Sequence, residues 1–195
     1  MKSLIPLLVL PLVAGCSLEG DYTDSAFTSS SAVQSASYNN EQNGSLTGTQ
    51  GSVYYVTGTD DNGAHARVGF DVGTIGTEPS GMLWYTTMYD MRGIENIRVS
   101  GELLSGNNMQ DGGAVVLIFD SADGSLAGNG TSNGGASFAI DATVSGNAIS
   151  GSAVYEGKTL ALDGAIGSDG LIGGFHGQSD TYVYAGGMRS ISVAD

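Results

Sequence analysis

From residue 52 onward apolar side chains recur at every second position, in short runs separated by Gly, Asn and Asp. Successive residues of a strand point to opposite faces, so this period describes antiparallel sheet with tight turns. In residues 136–144, Phe138, Ile140, Ala142 and Val144 fall on one side, whereas Ser137, Asp141 and Thr143 fall on the other. One face is buried and one is wet. Residues 147–155, 158–166, 171–178 and 181–193 continue the pattern as a meander through Ser145-Gly146, Glu156-Gly157 and Ser168-Asp169-Gly170. Upstream, strands are expected at 53–57, 64–72, 82–89, 97–104 and 114–120. Residues 89–98 come nearest to an amphipathic helix, and Gly93 weakens that segment.

The chain carries 32 glycines. Glycine supplies positive φ and lets a strand bend where a barrel closes, and Gly151, Gly164, Gly173, Gly174, Gly186 and Gly187 all fall within expected strands. An all-β fold follows, most naturally a closed antiparallel barrel, which leaves no exposed edge. A β-sandwich is the alternative.

The N-terminus reads as a secretory signal: Lys2, an apolar stretch over residues 4–13 interrupted by Pro6 and Pro11, then Ala14-Gly15 before Cys16. The stretch is too short to span a bilayer as a helix, so residues 1–15 are expected to be cleaved. Leu12-Val13-Ala14-Gly15-Cys16 resembles the lipobox. That resemblance implies diacylation of Cys16, which then becomes the mature N-terminus and anchors the protein. Ser17 follows in place of the aspartate that resembles an inner-membrane retention signal, which favours the outer membrane. Cys16 is the chain's only cysteine, so no disulfide is expected in the mature protein. Residues 16–50 are dominated by Ser, Thr, Asn, Gln and Gly, a composition that cannot repay ordering by burial. They read as a disordered, lipidated tether, with residues 46–50 the part best suited to pair as an edge strand. The domain boundaries are therefore 1–15 signal, 16–50 tether and 51–195 barrel.

The formal net charge is −14, with Arg67, Arg92, Arg98, Lys158 and Arg189 the only basic residues after Lys2. Nucleic-acid binding depends on Lys and Arg neutralising phosphates, so it is excluded. The same sign disfavours lying flat on an anionic bilayer and leaves the acyl chains as the membrane attachment.

Within the C-terminal meander, Phe138-Ala-Ile-Asp141, Ile149-Ser-Gly-Ser-Ala153, Leu162-Asp-Gly-Ala-Ile166, Gly170-Leu-Ile-Gly-Gly-Phe-His-Gly177 and Tyr184-Ala-Gly-Gly-Met188 together resemble the β-barrel domain of the transferrin-binding protein B family. Gly174-Phe175-His176-Gly177 stands where that family has a G-x-F-x-G strand, and Gly186-Gly187-Met188 where a Gly-Gly pair opens the last strand. Methionine replaces the usual aromatic. The resemblance implies an eight-stranded barrel on a lipid anchor, displayed by an outer-membrane translocon and used to capture a protein, haem or a small ligand. It does not imply transferrin, and it carries over no ligand residue. This chain has room for a single barrel and little else.

Gly130-Thr131-Ser132-Asn133-Gly134 matches G-x-S-x-G, but residues from 136 onward alternate as a strand where a nucleophile elbow needs a helix. His176 with Asp163 or Asp169 would complete a triad only on paper, and no enzyme activity is expected. Asp60-Asp61-Asn62-Gly63 and Asp120-Ser-Ala-Asp123-Gly124 lack the alternation and closing glutamate of a calcium loop and read as turns. No metal and no cofactor are expected. Aromatic residues concentrate over 82–89, where Met82, Trp84 and Met88 share one face and Leu83, Tyr85 and Tyr89 the other. One of these faces is outward, which makes Trp84, Tyr85 and Tyr89 the candidate ligand-binding residues. The expected function is binding by an outer-membrane or surface lipoprotein; a periplasm-facing structural or assembly lipoprotein without ligand is the alternative. Replacing Cys16 by Ser should abolish incorporation of a palmitate analogue and release the protein from membranes, and undiminished labelling would refute the lipobox reading.

Overall fold

The computed structural model describes residues 23–100 and 103–194; Cys16 and the signal segment lie outside the described residues. Two sheets make up the fold. The first has the order β1-β4-β3-β2, built from β1 (Thr23–Phe27), β2 (Asn39–Gly48), β3 (Gly51–Asp60) and β4 (Gly63–Val72), with α1 (Ser30–Gln34) between β1 and β2. We call it the side sheet. β1 lies parallel to β4, whereas β2, β3 and β4 form antiparallel hairpins.

The second sheet is a closed eight-stranded antiparallel barrel: β5 (Met82–Ser100), β6 (Leu103–Asp120), β7 (Ser125–Thr131), β8 (Ser137–Ser145), β9 (Ala148–Tyr155), β10 (Lys158–Gly167), β11 (Gly170–Ser179) and β12 (Tyr182–Ala194). Its closing seam is the last strand, β12, against the first, β5. Glu156 and Gly157 both take positive φ at the β9–β10 turn, as a two-residue hairpin with primed geometry requires.

The inward positions follow the sequence alternation. Tyr85, Tyr89, Leu117, Phe138, Phe175 and Tyr184 fill the interior, each at most 2% exposed. Tyr89 stacks on Phe138 with ring centroids 3.9 Å apart, and the Tyr85 hydroxyl donates to the Gly167 carbonyl at 2.9 Å. Burying Phe138 and Phe175 contributes about 1.5–3 kcal/mol each. Outward positions such as Asp141, Thr143, Ser150 and Thr159 are exposed and polar. This is the reverse of a membrane-spanning barrel, which turns its apolar face to lipid. Among the described residues no helix is long and apolar enough to cross a membrane.

One expectation needs correction. Residues 23–48, assigned to the tether, form β1, α1 and β2, and residues 51–72 belong to the side sheet, so the barrel begins at Met82. The tether composition misleads because β2 needs few apolar residues. It gains a backbone ladder from β3 and turns only Gln42, Gly44 and Leu46 toward the protein. The segment 89–98 is strand throughout, part of a long β5–β6 hairpin, because Met91, Ile94 and Ile97 are buried from two sides of an extended chain.

The glycine pairs also have a different reason from barrel bending. Gly174 and Gly187 are direct cross-strand partners on the barrel's outer wall. A Cβ on Gly174 would lie 2.2 Å from a Val68 methyl, and one on Gly187 would lie 2.4 Å from a Val53 methyl. They form a bare seat on which the side sheet rests. Val53, Tyr55, Val68, Ile94, Ile172 and Val183 close around it as a second core. Inserting bulk into such a contact costs about 1–3 kcal/mol. Gly187→Leu should therefore lower stability by about 2 kcal/mol, and adding Val53→Ala should recover part of that loss. Additive losses in a denaturation double-mutant cycle would show that the two positions do not meet.

Candidate functional site

Strands β5 and β6 break the rule that the barrel exterior is polar. Outward along β5 run Met82, Trp84, Thr86 and Met88, and opposite them on β6 lie Asp120, Ile118, Val116 and Ala114. Trp84, Ile118 and Val116 are 36%, 42% and 48% exposed, and Ile191 on the neighbouring β12 reaches 55%. Ile191 projects because the β12–β5 register shifts between Ser190 and Ser192. The bulge leaves Ser190 buried and turns both Ile191 and Ser192 outward. The result is an apolar ribbon on the part of the wall next to the side sheet.

At its upper end the ribbon enters a groove of about 870 Å³. Leu46 of β2 forms one bank; Met88, Asp90, Asp111, Ala114 and Ile191 form the floor and the other bank, with Asn133-Gly134 at the end. Gly112-Gly113 thins the wall here, and Tyr89 lines the groove from within the barrel. The Tyr89 hydroxyl, pushed up to about 12 by burial and then by the Asp111 charge, makes no hydrogen bond of acceptable geometry.

Two polar clusters hold the groove's sides. Above the seat, the Tyr55 hydroxyl donates to Asp90, which also accepts from Arg92 Nη1 at 2.8 Å. Burial, then the Asp90 carboxylate, raises the Tyr55 hydroxyl far above the tyrosine range. Gln42 Nε2 donates to the Gly93 carbonyl at 3.0 Å and ties β2 to β5. At the barrel rim, Asp111 accepts from Gly112 N at 2.8 Å, Gly134 N at 3.3 Å and the Tyr155 hydroxyl at 2.8 Å. Glu95 accepts from the Tyr184 hydroxyl and from Lys158 Nζ at 3.2 Å, while Lys158 sits 5.3–5.9 Å from the Tyr155, Tyr182 and Tyr184 ring centres. Beneath these bonds the barrel interior is packed with buried side chains.

The sequence candidates separate cleanly. Trp84 lies on the exposed ribbon, whereas Tyr85 and Tyr89 point into the barrel and are core residues, because the outward face of β5 is the Met82–Trp84–Met88 face. Cys16 lies outside the described residues. Ser132 is 7% exposed, and its hydroxyl accepts from Gly134 N at 3.1 Å and Ala136 N at 3.0 Å, the work of a turn. His176 pairs instead with Ser25 Oγ at 2.9 Å on the far sheet, so no triad assembles. Asp60, Asp120 and Asp123 each accept a backbone N–H two residues on, at 2.7–2.9 Å, as turn residues do. Leu46, Val116, Ile118 and Ile191 were missed. For Val116 and Ile118 the unbroken apolar run 114–119 was the one visible signal, since a barrel strand with a wet face should alternate; Leu46 and Ile191 carried none.

No family model matches the chain, and no curated protein matches it in sequence. Among solved structures, it is similar to the intact Ap-TbpB with its N and C lobes, at 15% identity and a TM-score of 0.50, covering 82% of this chain and 39% of that one. It is similar also to a surface lipoprotein, at 14% identity and a TM-score of 0.50, covering 85% of this chain and 84% of that one. The chain thus spans about two fifths of the TbpB it matches, at 39% of that length. What is shared is the fold: a single eight-stranded barrel of the kind found in TbpB.

Burial raises the Asp111 and Glu95 carboxyls, but hydrogen bonds outweigh it and hold both below the ordinary carboxylate range. A depressed carboxyl stabilises the fold fully above its unfolded value, near 4, and this is lost as the pH falls through the folded value. Stability should therefore decline below about pH 4, and Asp111→Asn with Glu95→Gln should flatten that acid limb. An unchanged slope in denaturant titrations across that window would count against the rim network.

Proposed function

We propose that this protein is a lipid-anchored binding protein of the outer membrane, held through Cys16, which engages a protein ligand with the groove and the apolar ribbon beside it. The observation that carries the reading is the ribbon itself. Trp84, Val116, Ile118 and Ile191 stand exposed together on a barrel whose other exposed positions are mostly polar or small, and such a patch on a water-facing surface marks an interaction site.

Geometry favours a protein over haem or a small molecule. Small-ligand sites bury most of their ligand, whereas the interior of this barrel is filled with side chains and the groove opens onto a flat wall. The likeness to TbpB and to a surface lipoprotein supports the same class of function, and a translocon that carries the domain to the cell surface fits with it. The acidic charge of −14, which is also common in proteins of saline habitats, is compatible with a partner that has a basic face.

Two measurements test this. Protease added to intact cells should remove the domain as completely as it does from lysed cells, and protection in intact cells would overturn surface binding. Ile118 is exposed, so Ile118→Asp should leave folding intact yet reduce capture of the environmental partner by about tenfold or more. Capture equal to that of the parent protein would remove the ribbon from the interface.

A further inference from the structure

The barrel is closed on itself, whereas the side sheet is open and has two outer strands. One is β1, a five-residue strand. The other is β2, which runs for ten residues. Its first part is broken by a register shift between Asn39 and Gln42, with Asn40 at φ 50°. Residues 43–48 then keep regular antiparallel register with β3. Alternate residues of such a strand turn their N–H and C=O groups away from the partner. Proteins usually blunt an open edge with Lys, Pro, a bulge or a covering element. Residues 43–48 contain no Lys, Arg or Pro, and Asn43, Ser45 and Thr47 are exposed.

The groove lies along this edge, with Leu46 as its bank and Met88, Ala114 and Ile191 as its apolar floor. A strand added beside β2 would run about 4.8 Å from it, in the space over that floor. The charged residues lining the groove are Asp90 and Asp111, and no Lys or Arg lines it. Arg92 offsets Asp90, the Arg189 guanidinium lies beside Gly48 at the far end of the edge, and Asp111 has hydrogen bonds but no cation partner among the described residues. Glu41 adds a further exposed carboxylate at the start of the edge.

Resting on the groove as the binding site, we propose that β2 accepts an extended segment of the partner protein, alternating apolar and cationic residues, as a fifth strand of the side sheet. Backbone hydrogen bonds to residues 43–48 supply the docking, the apolar side chains settle on Met88, Ala114 and Ile191, and the cations meet Asp111 and the acidic surroundings. A second copy of this chain is a poor occupant, because it would set one acidic molecule of charge −14 against another.

The test uses an eight-residue peptide alternating valine and lysine, its valine–glutamate counterpart, and the valine–lysine peptide with every amide nitrogen methylated. Amide hydrogen exchange of the folded protein is followed by NMR. The valine–lysine peptide should slow exchange of alternate amides within residues 43–48 by about tenfold, and the other two peptides should bind at least about tenfold more weakly. Ile191→Lys, at a site 55% exposed, should weaken valine–lysine binding by a similar factor while leaving the unliganded exchange pattern unchanged. Absence of protection, or equal binding of the methylated peptide, would overturn strand addition. Equal binding of the valine–glutamate peptide would overturn the charge selection. Protection that grows with protein concentration without peptide would assign the edge to a second copy and overturn the partner. If partner capture still depends on Ile118 while residues 43–48 gain no protection, strand addition fails and the binding function stands; if capture is also independent of Ile118, both fail.

Discussion

The side sheet can sit flush on the barrel only because two glycines, Gly174 and Gly187, face each other across β11 and β12 and leave the wall bare where Val53 and Val68 press against it. Close packing of this kind tolerates no extra methylene without strain. From that contact the rest of the site follows geometrically. The sheet covers the wall at β11 and β12, Tyr55 and Gln42 fasten its far side to β5, and β2 ends over the beginning of the exposed wall. The groove is the step between the covered and uncovered parts of one surface. The same glycine-rich segment also serves the interior: Phe175 lies over its cross-strand partner Gly186, whose added Cβ would come within 2.4 Å of the ring.

The barrel was largely legible because its physics is periodic. Each strand from β8 to β12 turns one face into a packed interior, and the alternation through Phe138, Ile140 and Ala142 records that directly. The side sheet was only half legible. β3 and β4 read as strands, but nothing in their pattern separates a strand that curls into a barrel from one that lies across its outside. β2 was hidden by Asn, Gln, Ser and Gly, because its burial is supplied from elsewhere: the Tyr55 ring occupies the space that a side chain on Gly44 would take. Of the aromatic candidates, Trp84 was separated from Tyr85 and Tyr89 by parity alone, and parity says which residues share a face without saying which face is wet. The apolar character of both faces over residues 82–89 and 114–119 was the informative irregularity.

The acidic residues near the site divide their work. Asp90, Asp111 and Glu95 are bound to tyrosine hydroxyls, backbone N–H groups and the few cations available, so they act as struts between strands. Hydrogen bonds to an ionised acceptor are stronger than neutral ones, which explains how a chain with so few basic residues can keep partly buried carboxylates without unfolding. Other described acids, such as Asp61, Asp120, Asp123 and Asp141, lie on outward positions and turns, where they contribute to the molecule's long-range field. Local architecture and long-range steering thus draw on different members of one residue class.

The seam between β12 and β5 joins the barrel's last strand to its first. That seam pairs strands from opposite ends of the barrel's sequence, so it cannot zip before β12 is available, and long-range pairings of this kind form slowly. Pairing of β12 with β5 is therefore the step that closes the barrel. The side sheet needs the completed β11–β12 wall as its support, so the groove between them is the last part of the fold to take shape.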